Sequence, residues 1–206
     1  MKKILLIIFL LNGLLGISSH VHNYNKIDSL KLLLNTAKID TSQIKSYLNI
    51  GDIFNKISKD SSLFYFNKAL VIAEDSKQYK LIGKSYHKIG VVYYQKSKFD
   101  SAIFYWRKAV VNFNKANEKR FEAAGLRVIG IAYRKKSDYK KSYEYYQKSL
   151  EIYTEIDNKS SVATVLGNIG LVWDLVSMEM KYDFHFEENT LVFSLNSGQT
   201  LYLEKQ

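Results

Sequence analysis

The chain of 206 residues contains no cysteine and no proline. Without cysteine there is no disulfide framework, no thiolate nucleophile and no Cys-based zinc or iron–sulfur site. Histidine is scarce as well. Of four, His20 and His22 stand near the N-terminus, while His87 and His185 lie far apart, so no His pair has metal-ligand spacing. No G-x-S-x-G, G-x-G-x-x-G or phosphate-cradling glycine loop occurs. Adjacent acids such as Glu74-Asp75 and Glu187-Glu188 point apart on a helix and make poor acid/base pairs. These absences leave no active site to assign, and we expect neither an enzyme nor a bound metal or cofactor. What is present, 47% hydrophobic and 14% aromatic residues, is enough apolar surface for one globular chain and excludes disorder for most of it.

Both ends stand apart from the rest. Lys2-Lys3 precede an apolar run from Ile4 to Leu11, then Asn12, Gly13 and small residues at Gly16 and Ser18. That order is the order of a secretory signal peptide, which we read over 1–18 with cleavage after Ser18. A retained anchor is the alternative, but the run falls short of the roughly 20 residues needed to cross a bilayer. The mature chain is therefore expected to be exported, periplasmic or secreted, with no stable membrane span after cleavage.

Self-similarity dominates the middle. Ile50-Gly51, Ile89-Gly90, Ile129-Gly130 and Ile169-Gly170 are separated by 39, 40 and 40 residues. An aromatic stands three residues after each glycine (Phe54, Tyr93, Tyr133, Trp173) and a bulky residue four before it (Tyr47, Tyr86, Leu126, Leu166). Offsets of three and four share one helical face, so each glycine lies inside a helix. There it costs ~1 kcal/mol against alanine, and close approach of a neighbouring helix is the simplest reason to keep it. After a polar break comes a second helix, whose buried stripe reads Phe99, Ala102, Trp106, Ala109 in one repeat and Tyr139, Ser142, Tyr146, Ser149 in the next. Ser62, Phe66 and Ala69 match once the first turn is taken as one residue shorter. Alternating small and large residues let two helices interdigitate.

These residues resemble the tetratricopeptide repeat over roughly 45–180. The resemblance implies an all-α, right-handed αα-superhelical solenoid of helix hairpins. The usual period is about 34 residues, with a proline ending many units. A spacing near 40 without proline is similar to a long-period bacterial type. Residues 19–44, with Ile27, Leu30, Leu33, Leu34 and Ile39, read as a partial repeat capping the array. The fourth repeat keeps a first helix, Val162 to Leu175, and loses its second. Beyond it, alternation at Phe184 and Phe186, at Leu191–Leu195 and at Leu201–Leu203 argues strand, and 181–206 reads as a short β-hairpin turning at Asn196–Gln199, or as a weakly ordered tail.

The resemblance also implies a protein or peptide partner held on the concave face, lined by residues six and three before, and one and four after, each glycine. In the middle repeats these include Lys84, His87 and Tyr94, then Arg127, Ile131 and Arg134. Residues 83–148 hold sixteen Lys and Arg against five acids, while 149–206 hold three against nine. The basic block suits an acidic partner, though lysine is also an ordinary solvated surface residue. No nucleic-acid motif is present, and nucleic acid is not expected as a ligand. The Lys/Asn pair that clamps a C-terminal carboxylate in some family members is not reproduced, because Leu48-Asp52 and His87-Val91 occupy its positions. Of two readings, an interaction scaffold and a detached sensor portion of a signalling regulator, we take the scaffold as the first.

Overall fold

The computed structural model describes residues 41–180, 183–187, 190–194 and 200–204, with side chains over 41–176. The expected signal peptide, residues 19–40 of the capping segment and the 196–199 turn lie outside the described residues. Seven helices and three strands are described. They fall into two compact units, divided after Glu118. The first contains α1 (Thr41–Phe54), α2 (Lys59–Asp75), α3 (Tyr79–Gln95) and α4 (Phe99–Lys115). The second contains α5 (Lys119–Lys135), α6 (Tyr139–Glu155), α7 (Lys159–Met180) and strands β1 (Asp183–Glu187), β2 (Thr190–Ser194) and β3 (Thr200–Glu204). The class is the all-α, helix-hairpin one of solenoid repeats.

Helices α2 to α6 are each 17 residues long and separated by three. The reason lies in the turns. Lys77, Ser97, Asn117, Ser137 and Asp157, twenty residues apart, all have positive φ between 50° and 58°. At each, the amide of that residue bonds the carbonyl three residues back and the next amide bonds the carbonyl five back, as in Ser97 to Tyr94 and Lys98 to Tyr93. This is the Schellman ending, which satisfies the last carbonyls of the helix and reverses the chain without proline or glycine. The first hairpin is one residue shorter from its glycine to the facing serine, Gly51 to Ser62 against Gly130 to Ser142, yet its helix α1 ends earlier and the connection 55–58 has four residues, none with positive φ; Ser58 instead caps α2 by accepting from the Ser61 amide.

Each hairpin closes on its glycine. A Cβ built on Gly90 would stand 2.5 Å from the Trp106 ring and one on Gly130 2.6 Å from Tyr146, while Gly51 meets Phe66 in the same way. Phe66, Trp106 and Tyr146 are at most 2% exposed. The interior glycines thus have the reason the spacing suggested: hydrogen is the only substituent that admits the aromatic of the second helix. Ser62 and Ser142 donate at 2.9 Å to the carbonyls of Gly51 and Gly130, whereas the middle hairpin has Ala102 there and uses Trp106 Nε1 to His87 O instead. A second complementary pair lies one step along. Gly83 would carry its Cβ 2.7 Å from the Phe113 ring.

The last helix departs from the expected bounds, running from Lys159 to Met180 rather than from Val162 to Leu175. No proline or glycine stands between Gly170 and Met180 to stop it, and Ser177-Met178-Glu179-Met180 propagate a helix. After it, the expected hairpin is one strand larger. β2 pairs antiparallel with β3, with Phe193 opposite Leu201, and β1 adds to the other edge of β2, with Phe184 opposite Phe193. A third strand supplies the extra pairing that an isolated two-stranded hairpin lacks.

Candidate partner-binding faces

The six expected groove residues are all half-buried, three on α3 of the first unit and three on α5 of the second. Within α3 the spacing of Lys84, His87 and Tyr94 is helical, so they share a face. Two of them also belong to the core layer beneath. The His87 ring lies 6.2 Å from that of Trp106 and Tyr94 lies 5.6 Å from it, with Phe99 5.5 Å on its other side. His87 and Tyr94 therefore support the aromatic seated on Gly90. Lys84 sits in a positive environment. Burial first, then the charge of Lys80, with smaller contributions from Lys45 and Lys88, lower its pKa against the opposing pull of Glu118. An anion placed there would relieve the crowding.

On the same unit, polar ties between residues 36 apart were not legible beforehand. Lys88 bridges Asp52 at 2.8 Å and Lys96 reaches Asp60 at 3.1 Å. The Lys59 ammonium takes Asn55 Oδ1 and Gln95 Oε1 as acceptors. Lys59 occupies the position held by Phe99 and Tyr139 in the following repeats, and beside it a cavity of about 460 Å³ opens between Asp52, Asn55, Ser58 and Gln95. The missing residue and the lost aromatic occur at the same place. The one-residue deletion is the signal in the sequence that points to it.

In the second unit, Arg127, Ile131 and Arg134 share a face of α5, and neither arginine makes an ion pair among the described residues. Arg134 Nε is buried without a hydrogen-bond partner, as is the hydroxyl of the fully buried Tyr146. The two groups act on each other nonetheless. Burial raises the Tyr146 pKa, while Arg134 and, more weakly, Arg127 pull against it. A phenolic oxygen accepts as well as donates, so the guanidinium and the hydroxyl are complementary although they fall short of hydrogen-bond geometry. This contact across the hairpin, unexpected from sequence, leaves α5 with two guanidinium groups beside an aliphatic side chain and without an ion pair among the described residues.

Among the described residues, no cluster of three or more His, Asp or Glu could hold a metal ion, and no helix is long and apolar enough to cross a membrane.

Comparison with known proteins agrees on the fold. The tetratricopeptide repeat family profile matches residues 83–110 and 128–155. No curated protein matches the sequence. Among solved structures, the chain is similar to aspartyl phosphate phosphatase F from Bacillus subtilis, with 12% identity, a TM-score of 0.67 and coverage of 77% of this chain and 45% of that one. It is similar to a Rap protein complexed with competence and sporulation factor, at 15% identity and a TM-score of 0.64, covering 76% and 47%. It is also similar to the TPR2AB domain of yeast Sti1 in complex with pHSP90, at 23% identity and a TM-score of 0.52, covering 64% and 49%. The chain spans about half the length of these three structures. At such identities the likeness is one of fold.

Proposed function

We propose that the chain is an exported scaffold of the long-period tetratricopeptide type, holding an acidic protein or peptide on the faces that carry Lys84, His87 and Tyr94 on α3 and Arg127, Ile131 and Arg134 on α5. The observation that carries the reading is the pair of arginines on α5, half-buried, without an acidic partner among the described residues and flanked by Ile131. A half-buried guanidinium is a strong bidentate donor to carboxylate, and its value rises with partial desolvation. The lowered pKa of Lys84 points the same way on the other unit. That one similar structure is complexed with competence and sporulation factor and another with pHSP90 supports a binding role. Export rests on the order of charged, apolar and small residues in 1–18.

Charge reversal tests it. Arg127→Glu with Arg134→Glu is expected to lower capture of partners from an envelope extract by at least about tenfold, as loss of a charge-assisted hydrogen bond implies, with the circular dichroism spectrum unchanged. Undiminished capture by a folded double variant sinks the reading.

A further inference from the structure

Three glycines in equivalent positions are each filled by an aromatic from the helix after their own, and the fourth is open. Nothing lies within 4 Å of a Cβ built on Gly170. The neighbouring positions agree. Leu126 on α5 is 8% exposed, whereas Leu166, its counterpart forty residues on, is 51% exposed. Ala123 is fully buried and its counterpart Ala163 is exposed. Meanwhile α7 already packs on α6 through a separate stripe, Val165 and Val172 with Val162, Ile169 and Val176. A helix apolar on two faces is built to be covered on both.

We propose that Ala163, Leu166 and Gly170 form a docking face for a helix of another protein, and that this helix carries a small–x3–aromatic–x2–small stripe. The occupant is read from the chain itself. Ser62–Phe66–Ala69, Ala102–Trp106–Ala109 and Ser142–Tyr146–Ser149 are the three stripes that fill Gly51, Gly90 and Gly130. A second copy of the chain has no such helix to offer, since α2, α4 and α6 each hold their aromatic against their own glycine. The segment Ile27 to Ile39 contains no aromatic residue, and the elements described after α7 are strands. This face is distinct from the α3 and α5 faces proposed above and does not depend on them.

The probe is a fluorescein-labelled peptide of residues 139–155, followed by anisotropy on the full chain. Saturable binding is expected, weakened at least about tenfold by the peptide change Tyr146→Ala and by Gly170→Trp in the protein, a loss of the size seen when a central aromatic anchor is removed. Gly170→Ala, which leaves room for a ring edge to shift, is expected to weaken binding less, and circular dichroism of both variants checks that they fold. Absence of binding, or binding indifferent to Gly170→Trp, overturns the proposal. Concentration-dependent self-association in sedimentation that Gly170→Trp abolishes gives the face to a second copy and also overturns it.

Discussion

Helices α5 and α7 carry the same pattern and meet different fates. In α5, Gly130 lies under the Tyr146 ring and Leu126 is covered; in α7, Gly170 has open space above it and Leu166 is half exposed. The comparison teaches that the glycine is a socket and not a hinge: its value depends wholly on the aromatic that fills it. An unfilled socket keeps the propensity cost of glycine and gains no packing in return.

The largest test of the filled socket is Tyr146→Ala, which deletes a fully buried ring and should lower the unfolding free energy by about 3–5 kcal/mol. Urea denaturation reads this directly, and a loss under about 1 kcal/mol, no more than an ordinary surface change, would show that the hairpin closes without its aromatic. Next come the two alanine substitutions. Gly130→Ala drives a methyl against Tyr146 and within 3.1 Å of the Ser142 carbonyl; overpacking of about 1–3 kcal/mol exceeds the ~1 kcal/mol gained from helix propensity. Gly170→Ala meets nothing and should stabilise by up to about 1 kcal/mol. Shifts of the same sign in thermal melts of the two variants would break the comparison.

The smallest expected effect sharpens it from the surface of the first unit. The Tyr86 hydroxyl donates to Glu74 at 2.8 Å, and burial first, then that bond, push its pKa from 10.0 to about 12. The folded state therefore holds this proton more tightly than the unfolded one. Its contribution is complete below pH 10.0 and is lost as pH rises through about 12. Melting temperature should fall over that window with a shallower slope in Tyr86→Phe; parallel curves would show that the bond does not discriminate between the two states. Leu126, which replaces this tyrosine in the next repeat, has no such hydroxyl, so this bond has no counterpart there.

The sequence alone determined the helix pairs, their buried stripes and the reason for the interior glycines. Those come from spacings of three, four and about forty, and the side-chain face of a helix is settled by its 3.6-residue turn before any tertiary contact forms. It also exposed the one-residue contraction of the first repeat and the break after α7, since both interrupt the period. Only the tertiary structure decided that five turns end in left-handed Lys, Ser, Asn and Asp residues without glycine, because backbone bonds to the preceding helix outweigh local preference there. Only it set Arg134 beside the Tyr146 hydroxyl, joined Lys88 to Asp52, and left Gly170 open. Each of these depends on how two helices meet, and a repeating pattern names the faces that touch without saying whether a partner arrives to touch them.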